Sequence, residues 1–365
     1  MISLRPLFQP RTLMAVALAA LAGHAAAQHA GYRTMVVPGA TPVNVALFYP
    51  TATAARTVPM GPWQPVVAPG APAAAGSVKG LILISHGTGG AELGHHNLGA
   101  RLASEGYLVA ALRHPGDNWE DRSMVTSGRY FSERPRQVSR VLDALLASPE
   151  WGARIPSERI GAIGHSAGGY TVLALAGAQA EPARAAQHCR TAQDDPGFCS
   201  LGKLQTGGAT PPAAGAPAGT AVPTVAAVAA ATPGGAVPSI AAPQDGPRVA
   251  VADPRIRAVV ALAPMAVVLT PESLAAITVP ARVILAERDT VLNGKYHGQH
   301  VAGHLPRAET TTVAGAGHFA FMALPSSPLP SDAGDAAANP AGFDRVAYHA
   351  TLESQVAQFF AQQWR

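Results

Sequence analysis

Gly164-His165-Ser166-Ala167-Gly168 constrains this chain more than any other stretch. It stands between the apolar run Ile160-Gly161-Ala162-Ile163 and the helix-forming run Tyr170-Thr171-Val172-Leu173-Ala174-Leu175-Ala176. A serine with glycine two residues away on each side, set between a strand and a helix, calls for a very tight turn with strained backbone at the serine. Side chains at positions 164 and 168 would collide with the neighbouring strand and helix. Such a turn lifts the serine Oγ clear of the sheet and aims the N-terminus of the next helix at it. The alternative is an ordinary strand–turn–helix with a solvated serine.

The chain has 365 residues, enough for one large domain or two small ones. Residues 1–27 read as a secretory leader. Arg5 and Arg11 supply its positive end, 13–22 its apolar stretch, and Ala25-Ala26-Ala27 a small-residue cleavage site. The apolar stretch is too short for a stable membrane span, and no later segment is long and apolar enough. No cysteine near the cleavage site could carry a lipid. The expectation is a soluble mature protein without a stable membrane anchor, exported to the periplasm or secreted. The formal charge is +4, and two of those charges sit in the leader. With no clustered basic face, the charge gives no reason to expect a nucleic-acid partner.

The only cysteines are Cys189 and Cys199. In an exported chain they are expected to form a disulfide that pins a segment with little core of its own. Free thiols or a metal site are the alternatives. No His or Cys lies between the two at ligand spacing, which disfavours metal.

Residues 32–37 and 43–49 read as two short strands around Pro38-Gly39-Ala40-Thr41-Pro42, and 51–77 as a Pro/Ala/Gly-rich surface loop. Buried-type strands follow at 80–85, 107–112, 160–164, 256–262 and 281–286, with a shorter one at 310–313. Amphipathic spacing predicts helices at 97–105 and 134–147, the second with Val138, Val141, Leu142, Leu145 and Leu146 on one face. The chain closes on a helix at 347–362. Strands alternating with helices predict an α/β class with a mostly parallel central sheet covered on both faces, in one domain over 28–365. Residues 205–248, almost uncharged and dominated by Ala, Pro, Gly, Thr and Val, read as a flexible cap-like insertion. A weaker low-complexity loop spans 325–340.

A serine nucleophile needs a base, and the base needs an orienting acid. The strand 281–286 runs into Glu287-Arg288-Asp289, which puts Asp289 at its C-terminal mouth. The strand 310–313 runs into Ala314-Gly315-Ala316-Gly317-His318, whose glycines let a histidine swing over the sheet edge. His318 would take the Ser166 proton and Asp289 would hold the imidazole. Otherwise Asp289 is a loop cap and His318 a surface residue. Glu287 is the fallback acid; Asp253 precedes its strand and is disfavoured. Oxyanion donors are expected from Ala167 N–H and from His86-Gly87-Thr88-Gly89-Gly90, with Thr88 N–H favoured. That loop could instead cradle a phosphate, but the lysine of a phosphate-binding loop is missing.

His297, His300 and His304 could share one helix face, better read as exposed and polar than as a metal site. His95-His96 are expected to be solvated or at a pocket rim, and Arg113-His114-Pro115-Gly116 to touch substrate or form a structural turn.

Taken together, these residues resemble the α/β-hydrolase superfamily, and within it the secreted dienelactone-hydrolase-like branch related to platelet-activating-factor acetylhydrolases. The segments that carry the likeness are Ser85-His86-Gly87-Thr88-Gly89-Gly90, Arg113-His114-Pro115-Gly116, Glu133-Arg134-Pro135-Arg136, Gly164-His165-Ser166-Ala167-Gly168-Gly169 and Ala316-Gly317-His318-Phe319. They span most of residues 79–322. The resemblance implies an α/β-hydrolase fold and a Ser-His-Asp triad acting on small or medium carboxylic esters without cofactor or metal. The chain departs from the branch in three places. Ser166 stands where dienelactone hydrolases have cysteine. Ala263-Pro264-Met265 follows the strand after which the acetylhydrolases carry their acid. Arg113 stands where relatives commonly have Asp. A lipase, polyester hydrolase or peptidase on the same fold is the nearest alternative reading, and a non-catalytic binding protein with this fold is the distant one. The sequence leaves the natural ester and the oligomeric state open.

Overall fold

The computed structural model describes residues 29–125, 127–201 and 248–365. The leader 1–27, and the 205–248 insertion up to residue 247, lie outside the described residues. Ten strands form one sheet: β1 (His29–Val37), β2 (Val43–Thr51), β3 (Arg56–Thr57), β4 (Val66–Pro69), β5 (Leu81–Ser85), β6 (Leu108–Arg113), β7 (Ile160–His165), β8 (Ala258–Leu262), β9 (Ala281–Ala286) and β10 (Glu309–Val313). Their order is β10-β9-β8-β7-β5-β6-β2-β1-β4-β3. The six strands from β10 to β6 are parallel, and β2 joins β6 antiparallel. Residues 51–77, expected as a loop, contribute β3 and β4, and β4 extends the sheet by pairing with β1.

The helices are α1 (His96–Ser104), α2 (Tyr130–Leu146), α3 (Ala167–Leu175), α4 (Ala183–Thr191), α5 (Pro196–Ser200), α6 (Pro271–Ala275), α7 (Gly298–His304) and α8 (Arg345–Gln363). Side-chain alternation along the strands divides the core in two. Leu81, Leu83, Leu108 and Ala110 pack on one face with Val138, Val141 and Leu145 of α2 and Leu173 of α3. Ile82, Ile84, Val109 and Ile163 pack on the other with Leu98 and Leu102 of α1 and Val356 and Phe360 of α8. Both faces are covered, so the central strands need no polar side, which is why β5 and β7 read as unbroken apolar runs.

Helix α2 begins at Tyr130, four residues before the boundary the spacing suggests, and it contains Pro135. Pro135 has no N–H to give to the Phe131 carbonyl one turn earlier. The Tyr170 hydroxyl donates to that carbonyl at 2.7 Å, so the proline gap becomes a tie between α2 and α3. Two parallel neighbours, β5 and β7, carry the segments that matter most. Ser85 is in register with Gly164, which sets the glycine-rich loop after β5 beside the turn after β7. The chain order reverses here, since β5 leads to β6 on one side while β7 lies on the other. Clefts at the carboxyl ends of parallel strands form at such points.

Candidate active site

Ser166 occupies a backbone conformation of φ 57° and ψ −116°, one of two non-glycine residues with positive φ among the described residues; Ala263 is the other. The sharp turn leaves no room at the flanking glycines. A Cβ on Gly164 would lie 1.9 Å from the Gly168 carbonyl oxygen, and one on Gly168 would lie 1.9 Å from the Ser85 carbonyl oxygen. Both obstacles are backbone and cannot rotate away. The turn is braced by Ser166 N–H donating to the Leu262 carbonyl at 2.9 Å, and by Met265 N–H donating to the Ser166 carbonyl at 3.0 Å. Strain at one residue is thus held by the end of β8 and the chain that follows it.

Asp289 and His318 come together from parallel neighbours, β9 and β10. Arg288 N–H donates to the Ala316 carbonyl at 2.8 Å, and Gly315 N–H to Glu287 Oε2 at 2.7 Å, so the two loops run side by side. Glu287, the fallback acid, is occupied in this way. His318 Nδ1 is 2.8 Å from Asp289 Oδ2, and Asp289 Oδ1 accepts from Val291 and Leu292 N–H at 2.9 Å each. Burial pushes the Asp289 carboxyl up, but His318 and the two amides outweigh it and hold the group below its usual range. The carboxylate is therefore ionised and fixed, and it sets Nδ1 as the His318 nitrogen that donates to it. Nε2 is then the nitrogen available to accept a proton. His165, adjacent to Ser166, donates from Nε2 to the His318 carbonyl at 2.9 Å, with the two rings 4.8 Å apart. Ser166 and His318 are 5% and 4% exposed. Among the described residues Ser166 Oγ makes no hydrogen bond to His318; the structure joins the serine and histidine segments through His165 instead.

The loop after β5 is shaped by a buried ion pair. Arg134 and Asp117 have no solvent-exposed side-chain surface, and Arg134 Nη1 donates to Asp117 Oδ2. Arg134 also donates to the His86 carbonyl and to Thr171 Oγ1 (3.2 Å). Asp117 Oδ1 accepts from Gly89 N–H at 2.8 Å. Gly90 N–H donates to the Gly87 carbonyl at 3.1 Å, and Thr88 Oγ1 is 2.7 Å from the Tyr130 hydroxyl. Of the four amides from 87 to 90, those of Gly89 and Gly90 are thus occupied, and those of Gly87 and Thr88 have no protein acceptor among the described residues. Gly87 lies against Ser166: a Cβ there would stand 3.1 Å from Ser166 Cβ. Ala167 N–H, at the first position of α3, likewise has no acceptor in the helix.

His86 donates from Nδ1 to the Gly87 carbonyl at 2.6 Å and accepts His114 N–H at Nε2 at 3.1 Å. Burial, helped by the Arg134 charge, pushes its pKa down to about 3, so it is a neutral structural imidazole. The roles of Arg134, Asp117, His86 and His165 were not read from the sequence, although one signal was available. Arg134 lies four residues before Val138 and seven before Val141, so a charged residue occupies the buried face of an amphipathic helix.

Other sequence expectations are corrected. His95 and His96 are buried rather than solvated, with His95 2% exposed and its ring 5.3 Å from that of His165. His297 is not on an exposed helix face. It precedes α7, is buried, and donates from Nε2 to Asp195 at 2.9 Å, because the segment between the cysteines arrives over it. His114 is buried between Ser85 Oγ and Gln137 Oε1, and Arg113 pairs with Glu92 and Glu120, which makes that segment structural. Asp253 bonds Ser139 and Arg255. Cys189 and Cys199 form the expected disulfide. No cluster of ligating side chains able to hold a metal occurs among the described residues. A cavity of about 430 Å³ adjoins Asp289 and is lined also by Pro264, Asn293, Lys295 and His297, but not by Ser166 or His318.

Comparison with known proteins adds three findings. Residues 81–329 match the family described as the alpha/beta hydrolase family. No curated protein matches the chain. Among solved structures, the ferulic acid esterase from Streptomyces cinnamoneus is similar at 18% identity and a TM-score of 0.55, covering 91% of this chain and 88% of that one. At that identity the likeness concerns the fold.

Proposed function

The chain belongs to the alpha/beta hydrolase family, and from that premise we propose that it is a serine hydrolase cleaving carboxylic esters through an acyl-enzyme. Ser166 Oγ attacks the ester carbonyl carbon while His318 Nε2 takes its proton. The resulting oxyanion is held by Ala167 N–H and Thr88 N–H. The tetrahedral intermediate collapses as His318 returns the proton to the leaving alcohol. Water, deprotonated by the same nitrogen, then attacks the acyl-serine, and His318 returns that proton to Ser166 Oγ as the acid is released. Asp289 stabilises the imidazolium formed in both halves.

The single observation that carries this reading is the Asp289–His318 pair beside a serine held at φ 57°. A relaxed solvated serine would not require glycine at both 164 and 168. The ester class is favoured because the fold neighbour named above is an esterase. Within the family, the His114-Pro115-Gly116 and Arg134-Pro135 segments favour the secreted dienelactone-hydrolase-like branch, since both support the oxyanion loop. Residues 28–365 are read as one hydrolase domain carrying the 205–248 insertion. Export is supported by the leader sequence and by the disulfide, which suits an oxidising compartment. No helix of the described residues is long and apolar enough to cross a membrane.

Hydrolysis of p-nitrophenyl acetate and butyrate by the wild type and by Ser166→Ala tests the reading. Turnover by the wild type and its loss in the variant are expected. Undiminished turnover by Ser166→Ala would overturn it.

A further inference from the structure

We propose that Asp195, held by the disulfide-closed segment around it, is a positioning residue for the loop that carries Asp289; the proposal rests on the esterase reading above. Asp195 is remote in sequence from the acid, yet its carboxylate is shared among three groups of the acid loop and its neighbours. Oδ1 accepts Asn293 N–H at 2.9 Å. Oδ2 accepts from His297 Nε2 at 2.9 Å and lies 2.8 Å from His188 Nε2. His297 Nδ1 accepts Ala266 N–H at 3.0 Å, which fixes the proton on Nε2 and extends the tie to the chain following β8.

The loop from 289 to 293 is therefore folded around two carboxylates. Asp289 holds its own Val291 and Leu292 amides, and Asp195 holds the next amide, Asn293, from across the chain. Neighbouring contacts act in the same direction. Asn293 Nδ2 donates to the Asp194 carbonyl at 2.8 Å, and the Tyr296 hydroxyl to Asp194 Oδ1 at 2.8 Å. Gly197 lies so close that a Cβ there would be 2.4 Å from the Val291 carbonyl oxygen.

The segment presenting Asp195 has little core of its own. The Cys189–Cys199 disulfide closes it, joining α4, which carries His188, to α5, which packs Phe198 inward. Burial raises the Asp195 carboxyl, but His297, Asn293 and His188 outweigh it and keep the group ionised. A misplaced acid loop would leave substrate binding intact and weaken support for the imidazolium, so the loss should fall on kcat.

The test compares the wild type with Asp195→Ala, Asp195→Asn, Gly197→Ala and Asp289→Asn on p-nitrophenyl butyrate. Rates are expressed per site titrated to completion by a fluorophosphonate, so unfolded material does not count. Asp195→Ala is expected to lose about 10- to 100-fold in kcat with KM within about twofold. Asp195→Asn keeps an acceptor for Asn293 N–H and should recover part of that loss. Gly197→Ala presses directly on the Val291 carbonyl and should lower kcat in the same way even if Asp195→Ala does not fold. Wild-type kcat per titrated site in Asp195→Ala or Gly197→Ala, with Asp289→Asn impaired, overturns this proposal and leaves the esterase reading standing. A wild type that neither turns over nor takes the label overturns both.

Discussion

Replacing Arg134 by methionine tests whether a buried ion pair holds the glycine-rich loop after β5, the proposed source of an oxyanion donor. Methionine fills much of the same space but supplies none of the guanidinium donors to Asp117, the His86 carbonyl and Thr171. Asp117 would remain fully buried, with Gly89 N–H at 2.8 Å and Arg122 Nε at 3.8 Å as its nearest support. Removing one partner of a buried pair costs about 3–5 kcal/mol, because the other charge is left uncompensated. Arg122 stands within reach, so the lower end of that range, about 3 kcal/mol, is expected. Against a total stability of about 5–15 kcal/mol this is a large fraction. Urea unfolding followed by tryptophan fluorescence should show the midpoint fall at an unchanged slope. Adding Asp117→Leu to Arg134→Met removes the orphaned charge and should restore much of the stability. It should not restore turnover, since Gly89 N–H loses its acceptor and the loop its brace. An Arg134→Met protein within about 1 kcal/mol of wild type, or a double variant no more stable than the single, would refute the argument.

Three further outcomes follow from the same geometry. Gly168→Ala should abolish ester turnover, because its Cβ would sit 1.9 Å from a backbone oxygen of β5; activity within tenfold of wild type would contradict the tight turn. Burial lowers the pKa of His86 and His95 to about 3 and of His96 to about 4, so each binds a proton more readily when unfolded. Their contribution is present at neutral pH and is lost as pH falls from about 6.5 toward 4, by about 1.4 kcal/mol per pH unit for each group. Urea midpoints at pH 7, 5.5 and 4.5 should therefore decline steeply, and a flat profile would count against neutral buried imidazoles. Cys189→Ser with Cys199→Ser opens a loop with a sequence separation of 10 and should cost roughly 2–3 kcal/mol in thermal or urea unfolding, an unchanged midpoint being the contrary result.

The parts of the fold legible in the sequence are those where one local rule decides. Strand β9 coincides with its apolar run, and the glycines of the turn at 164–168 are explained by backbone atoms within that turn and on the next strand. The order of Ser166, Asp289 and His318 could be read because each follows a recognisable strand. What was not legible depends on partners distant in the chain. Helix α2 starts a turn ahead of Pro135, at Tyr130, where Tyr170, 39 residues from Phe131, satisfies the Phe131 carbonyl. Strand β4 exists because β1 offers it an edge, and four residues between proline and glycine do not announce themselves. His95 and His297 look polar and solvent-facing in sequence; they are buried because other segments close over them. Arg134 is the instructive case. Its charge on an apolar helix face was visible, but its partner Asp117 lies in a loop whose path only the folded chain defines.

The catalytic role proposed for Ser166 can be measured directly. The wild type, treated with a fluorophosphonate and digested, should show one phosphonyl adduct by mass spectrometry, on the peptide containing Ser166. The adduct should be absent from Ser166→Ala and should form much more slowly in His318→Ala. A wild type that takes no label, or one labelled equally well without Ser166, would contradict the assignment of this serine as the nucleophile.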